Sequence, residues 1–350
     1  MKRKNLIHNI LKILQVIDKL DVGGAERIFV NITNLLYAEN INVSVLTFSK
    51  KGILQKEINK KINIEKYQRL SKFSINDAKK LSIIINNYDI VHVHMRHVFR
   101  YVKLVAFLFK TKSKIILHDH SSDFDKIPFL LNSILRPKYY IGVSKELINW
   151  GKTKLKVKNE HCFLLQNTVV KINETNINTK KNGAVLVGNI KPDKNQLFAI
   201  QLIAKLNLEL VIFGKIQDHN YYLTLVKEIE NLKLKEKVTF VHDETNVQKE
   251  LKKFKFALNT SKKESGPLVL IEFLAQSLPF ISYKTGEISE VLENDLPDYF
   301  INNFNEDKWL EKINFLKKSK YDLESIYQAK FSPNIYIKKC LSIYQKIKNY

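Results

Sequence analysis

Short apolar runs alternate with stretches of helical period along the whole chain, and that alternation predicts βα units and parallel sheets. Residues 10–17 read as a strand. Residues 25–36 read as a helix that places Ile28, Phe29, Ile32, Leu35 and Leu36 on one face. Further strands are expected at 41–48, 90–94, 114–118 and 139–143, with helices between them, which completes one doubly wound domain. Between 167 and 183 the chain turns polar and loses its period, as a linker does. The alternation then resumes, with strands expected at 184–188, 208–213, 238–241 and 254–259 and helices at 194–205, 221–232, 247–253 and 267–276. The fold class is therefore α/β, with two doubly wound Rossmann-like domains at 1–170 and 183–332 joined by 171–182.

Composition agrees with two domains. The 350 residues are 45% apolar, enough to bury two cores and to exclude disorder as a description of the chain. Cys162 and Cys340 have no paired spacing, so neither a disulfide framework nor a thiolate zinc site is available, which points to a reducing compartment. No apolar stretch reaches spanning length; the segment 102–109 is short and flanked by lysines. Residues 1–11 are basic then apolar, but Lys12 interrupts the run, and they read as the approach to the first strand.

The formal charge is +23, and it is unevenly spread. Residues 1–172 hold 31 Lys/Arg and 13 Asp/Glu, against 27 and 22 in the remainder. Biased composition accounts for the total less awkwardly than for the asymmetry. A basic folded domain suggests a phosphate-rich partner, either nucleic acid or anionic lipid.

Three loops carry candidate chemistry. The first strand ends at Asp21-Val22-Gly23-Gly24-Ala25-Glu26-Arg27 where a helix starts, and glycines there let backbone N–H groups approach a phosphate; they equally suit a tight turn. A full G-x-G-x-x-G is absent, which argues against a nicotinamide enzyme. In Glu264-Ser265-Gly266-Pro267-Leu268-Val269-Leu270-Ile271-Glu272, two carboxylates flank a helix start, with Pro267 suited to its first position. N–H groups near Gly266, Leu268 and Val269 would face a diphosphate, and a carboxylate accepts two hydrogen bonds from a vicinal diol. The same spacing also fits a solvated loop acid and a salt-bridged helix residue. Finally, Gly188-Asn189-Ile190-Lys191-Pro192-Asp193-Lys194 puts a lysine where the next helix begins, able to neutralise a departing diphosphate or simply to sit at the surface.

These features, in this order, resemble a retaining family 4 glycosyltransferase of the GT-B fold. The resemblance rests on the Gly23-Gly24-Ala25-Glu26-Arg27 turn, the strand Asp89-Ile90-Val91-His92-Val93-His94, the loop from Gly188 to Lys194, and Glu264 to Glu272 followed by Ala275 and Leu278-Pro279. It implies two domains facing across a cleft and a last helix, 333–350, crossing back onto the first. It implies that Glu272 holds the donor ribose, that Glu264 holds the transferred sugar, and that Lys194 meets the diphosphate. Donor contacts are implied at Gly23, Gly24, Asn189, Gly266, Leu268 and Val269, and a histidine near the transferred sugar, for which His120 is favoured over His118. The chain departs from the family in having Glu-Ser-Gly-Pro for Glu-Gly-x-Pro, and Asn189 where an arginine is usual; Lys191 and Arg27 are candidate substitutes.

The implied activity is transfer of a hexosyl unit from a nucleotide-sugar, taken as uridine-linked, to a lipid-linked saccharide in cell-surface polysaccharide or lipooligosaccharide assembly. The expected place is cytoplasmic, peripheral on the inner face of an anionic membrane, with no cofactor and no metal. His92, His94 and His97 look metal-like, but His92 reads as structural; Asp123-Phe124-Asp125 reads as a loop. Two alternatives are a nucleotide-sugar epimerase of the same fold and a basic nucleic-acid-binding protein. Against the latter, no helix-turn-helix, zinc or RNA-reading motif is present, so no nucleic acid is expected.

Overall fold

The computed structural model describes residues 11–49, 52–67, 74–121, 135–173, 182–316 and 321–350. The start of the chain, Asp123-Phe124-Asp125 and most of the expected linker lie outside these residues. The chain divides into two compact units, 1–168 with 333–350, and 169–332.

In the first unit β1 (Lys12–Ile17) leads to α1 (Gly24–Ala38), β2 (Asn42–Thr47), β3 (Asn63–Ile64) and α2 (Ile75–Ile85). Then come β4 (Ile90–His94), α3 (Arg96–Leu108), β5 (Lys114–Asp119), β6 (Tyr139–Gly142), α4 (Lys145–Thr153) and β7 (Cys162–Leu164). The strands form one parallel sheet in the order β3-β2-β1-β4-β5-β6-β7. Order reverses between β1 and β4, so the loops leaving those two strands part to opposite sides and open a crevice at their carboxyl ends. Both faces of the sheet are covered, which is why β4 is buried at every position. Side-chain alternation sorts the core into two halves. Ile13, Ile17 and Ile90 pack with Phe29 and Ile32 of α1, while Leu14, Val16 and Val93 pack with Leu81 of α2 and Val102 of α3. The first half is completed by the last helix of the chain, Pro333–Asn349, through Tyr336, Ile337, Cys340 and Tyr344.

The second unit runs β8 (Asn182–Val187), α5 (Gln196–Leu206), β9 (Leu210–Phe213), α6 (His219–Asn231), β10 (Val238–Val241) and α7 (Gln248–Leu251). It continues with β11 (Phe254–Asn259), α8 (Leu268–Ala275), β12 (Phe280–Tyr283), α9 (Gly286–Leu292), β13 (Phe300–Ile301), α10 (Glu306–Leu316) and α11 (Leu323–Lys330). Its sheet is also parallel, ordered β10-β9-β8-β11-β12-β13, with the reversal at β8 and β11. The chain is thus α/β with two doubly wound sheets. Two helix starts that bear on the candidate site differ from the sequence reading. The helix expected from Lys194 starts instead at Gln196, after Pro192–Lys194 makes a single tight turn and Asn195 takes a left-handed conformation (φ 51°). Pro267 caps α8 from outside rather than occupying its first turn. Among the described residues no helix is long and apolar enough to cross a membrane.

Candidate functional site

In the second unit the candidate residues gather at the carboxyl ends of β8 and β11, where the order of its sheet reverses. The loop after β8 carries Lys194 and the loop after β11 carries Glu264, and their side chains form an ion pair, both largely shielded from solvent. Backbone stitching holds the two loops together. Thr260 donates to the carbonyls of Lys194 and Asn195, each at 3.0 Å, and Lys262 N–H donates to Asp193 at 2.8 Å. Lys194 therefore approaches Glu264 because two loops have been laced side by side, whatever the charges contribute.

Two glycines that the sequence reading passed over shape these loops. Gly214, after β9, has φ 158°, and a Cβ there would lie 2.1 Å from the Gly188 carbonyl oxygen. That close approach lets Asn189 Oδ1 accept from Lys215 N–H at 3.2 Å. Asn189 thus spends its side chain tying β8 to β9. Gly286 opens α9 at φ 76°, and a Cβ there would meet Glu264 O and Pro267 Cδ at 3.0 Å. Beside it Thr285 Oγ1 accepts from Glu264 N–H at 3.2 Å, and Glu287 N–H donates to Ser265 at 2.8 Å. The Glu264-to-Pro267 loop is moulded on the start of α9, leaving Leu268 and Val269 as the first, half-buried turn of α8 with Glu272 one turn on. Helix starts such as this leave N–H groups without helical partners and a positive dipole end, which suit an anion. Neither proposed substitute for the arginine stands idle: Lys191 lies 3.6 Å from Asp193, and Arg27 is paired with Glu57.

In the first unit, strand alternation puts Gln15, His92, His94, His118 and His120 on one face of the sheet, under α1 and the last helix. Gln15 pairs in register with His92 across β1 and β4, and His94 with His118 across β4 and β5. His92 and His94 stack at 4.7 Å, and His94 and His120 at 5.1 Å with their planes 9° apart. His92 Nδ1 lies 2.6 Å from Tyr344 Oη, His94 Nε2 lies 3.0 Å from Gln15 Oε1, and His94 Nδ1 lies 2.9 Å from His120 Nε2. Burial pushes the pKa of His92 and of His120 down to about 3 and holds His94 and His118 well below the ordinary value, so all four rings are neutral at pH 7.

One nitrogen from each of His92, His94 and His118 lies within 4.8 Å of the others. The near-parallel stacking of His92 and His94 keeps their in-plane lone pairs from converging. Both nitrogens of His94 and Nδ1 of His92 already have hydrogen-bonding neighbours, so the donor set suits a hydrogen-bonded array better than a tetrahedral metal. His92 serves the core, as expected. His118 is fully buried, both ring nitrogens lacking partners among the described residues, whereas His120 is half-buried and is the one imidazole of the array not fully enclosed.

Around this array the loop ends are fixed from the opposite face of the sheet. Arg96 Nε donates to Asp119 Oδ2 at 2.7 Å, Tyr140 OH donates to the same oxygen at 2.8 Å, and the guanidinium lies 4.2 Å from the centre of Trp150. Gly23 caps α1 and Gly24 begins it, with Gly23 extended (φ −165°) and its carbonyl accepting from Arg27 N–H at 2.9 Å. The Gly23-Gly24 turn thus follows β1, and the histidine array runs along β4 and β5 to His120 just past β5, at the reversal of the first sheet. The sequence reading placed the histidines but missed Gln15 and Tyr344, whose separation of 329 residues gives no local signal.

A different surface of the first unit is apolar and basic. On α3, Leu104, Phe107 and Leu108 are exposed, Phe107 at 63%, and Ile75 and Ile83 are exposed on the neighbouring α2. The two helix ends are joined by Lys112 N–H donating to Asn86 at 3.0 Å and Ser113 to the Ile85 carbonyl at 2.7 Å. Lys79, Lys80, Lys110 and Lys112 are exposed around them, and no acidic residue occurs from 90 to 118.

Comparison with known proteins identifies the family. A family model described as glycosyl transferases group 1 matches residues 169–336, and one described as glycosyltransferase family 4 matches 22–169. The capsular polysaccharide biosynthesis glycosyltransferase CapH of Staphylococcus aureus is 25% identical over 298 residues, covering 80% of this chain and 83% of that protein. The N-acetyl-alpha-D-glucosaminyl L-malate synthase of Bacillus anthracis is 25% identical over 235 residues, 59% of this chain and 60% of that protein. The crystal structure of Anabaena HepE in complex with UDP superposes with a TM-score of 0.79 at 15% identity, covering 96% of this chain and all of that one.

Proposed function

The chain belongs to the family 4 glycosyltransferases of the GT-B fold, and we propose that it moves a hexosyl unit from a UDP-sugar to a lipid-linked saccharide during cell-surface polysaccharide assembly, with retention at the anomeric carbon. The observation that carries this reading is the pairing of Lys194 with Glu264 beside the start of α8. It gathers a cation, a carboxylate and a helix start where a sheet of this kind binds ligands. The similarity to CapH supports a polysaccharide acceptor, and the UDP held by HepE supports the uridine donor.

In the proposed reaction Glu272 holds the ribose, while Lys194 and the first turn of α8 hold the diphosphate. Asn189, by closing the loop after β8, shapes that pocket rather than charging it. As the bond from the anomeric carbon to the phosphate oxygen breaks, its electron pair goes to the diphosphate, where Lys194 and the N–H groups of Leu268 and Val269 stabilise it. The acceptor hydroxyl oxygen bonds to the anomeric carbon from the same face and gives its proton to the departing phosphate oxygen. Glu264 supports the positive charge that develops on the sugar. From the first unit, Gly23 and Gly24 contribute backbone N–H groups toward the phosphates and His120 a hydrogen bond to the transferred sugar. No step needs a metal or cofactor. In this reading the exposed α2 and α3 residues meet an anionic membrane, at the cytoplasmic face where a lipid-linked acceptor would lie.

A screen of nucleotides by thermal shift tests the donor assignment. UDP at 100 times its dissociation constant should add about 2.7 kcal/mol of stability, and GDP or ADP at the same concentration should add much less. A larger shift with a purine nucleotide would overturn the uridine assignment. Incubation with UDP-glucose alone, yielding an epimer and no transfer product, would favour the epimerase reading.

A further inference from the structure

We infer that Gln15 is a positioning residue: acting through His94, it fixes the tautomer of His120 so that His120 presents an unprotonated Nδ1. The inference rests on the reading of His120 as the histidine that meets the transferred sugar, and its primary test is independent of catalysis.

A neutral imidazole carries one N–H and one lone pair, so a hydrogen bond that fixes one nitrogen fixes the other. Gln15 Nε2 donates to Tyr344 Oη at 3.1 Å and lies 3.5 Å from His92 Nδ1, which leaves the amide carbonyl turned toward His94. Gln15 Oε1 is then 3.0 Å from His94 Nε2. A carbonyl oxygen only accepts, so the proton of His94 is on Nε2 and its Nδ1 is bare. That bare Nδ1 is 2.9 Å from His120 Nε2, which must therefore be the donor. His120 is left with a lone pair at Nδ1.

The burial that keeps His94 and His120 neutral removes the doubly protonated form that would erase this choice. No other group competes for the relay from the far face of the sheet, since Asp119 there accepts from Arg96 and Tyr140. A bare nitrogen can accept from a sugar hydroxyl and thereby orient it. The opposite tautomer would offer an N–H to the same hydroxyl and turn its dipole round. The relay starts at Tyr344 on the last helix, so the residue that sets the state of His120 is itself oriented by a segment following the whole second unit.

The test is long-range proton–nitrogen correlation on the full chain labelled with ¹⁵N-histidine at neutral pH, with His120 identified by its loss in His120→Gln. The expected result is His120 protonated at Nε2 and bare at Nδ1. Gln15→Met, similar in volume but without a carbonyl, should give a mixed or inverted tautomer, and Gln15→Glu, which keeps an acceptor, should restore it. Transfer should fall about tenfold in Gln15→Met, the worth of one misdirected hydrogen bond, with UDP affinity unchanged. Should Gln15→Met fail to fold, Tyr344→Phe, which removes the acceptor of the amide nitrogen, should loosen the tautomer in the same direction. His120 protonated at Nδ1 in the parent chain, or a tautomer indifferent to both Gln15→Met and Tyr344→Phe, overturns the inference. A tautomer that responds while transfer does not upholds the relay and overturns the placing of His120 at the sugar.

Discussion

Lys194 and Glu264 are 70 residues apart in sequence and joined as an ion pair at the carboxyl edge of one sheet. A lysine already neutralised by a carboxylate must share its charge when a diphosphate arrives, so the two residues are coupled and single substitutions act on both.

Lys194→Ala therefore removes the cation and also leaves Glu264 uncompensated beside the phosphates. UDP affinity should drop by about ten- to a hundredfold while uridine, which lacks the phosphates, binds as before. Turnover should fall further, because the diphosphate gains charge as the bond breaks. Lys191→Ala, whose partner Asp193 lies 3.6 Å away on the same turn, should be milder. Isothermal calorimetry with UDP and with uridine, beside a transfer assay, checks all three statements; equal losses for UDP and uridine would contradict them.

The neutral histidines make the first unit acid-labile. Their folded-state pKa values are depressed, so protons bind the unfolded chain better once the pH falls below about 6.5, and stability is lost from there down toward the folded values. The fully buried His92, His94 and His118 each contribute about 1.4 kcal/mol per pH unit in that window. Trp150 lies in the first unit and Trp309 in the second. With each kept alone by a Trp-to-Phe substitution of the other, the transition reported by Trp150 should move down in temperature between pH 7 and pH 5.5 more than that reported by Trp309.

Membrane binding should depend on the exposed end of α3. The full chain should sediment with phosphatidylglycerol-containing vesicles at low salt and not with pure phosphatidylcholine. Phe107→Ser with Leu108→Ser should weaken that binding at least about tenfold, by the loss of buried apolar area, and leave UDP affinity intact. Binding unchanged in the double variant would assign it to other lysines of the basic first unit.

Much of this architecture was legible in the sequence because the period of apolar positions reports a parallel sheet directly: Val91 and Val93 alternate with His92 and His94, and the structure sorts them to opposite faces. The paired loops were legible as motifs. What lay beyond reach were contacts made by backbone and by distant side chains. Nothing local marks Gly286 as the residue on which the Glu264 loop is moulded, since its role comes from φ 76° and a 3.0 Å approach. Asn189 looked like a missing cation and is a loop tie, visible only once Gly214 brings Lys215 beside it. The start of the helix after Lys194 slipped two residues because Asn195 takes a left-handed turn that the apolar period cannot show.

The central claim is that Glu264 and Glu272 grip different parts of one ligand, and UDP affinity measured by calorimetry on Glu264→Gln and Glu272→Gln tests it most directly. Glu272→Gln should weaken UDP by roughly ten- to a hundredfold, the worth of a charged hydrogen bond to the ribose. Glu264→Gln should hold UDP as tightly as the parent, or more tightly because Lys194 is released to the phosphates, while transfer falls. Loss of UDP binding in Glu264→Gln as severe as in Glu272→Gln, or no loss in either, would contradict the account.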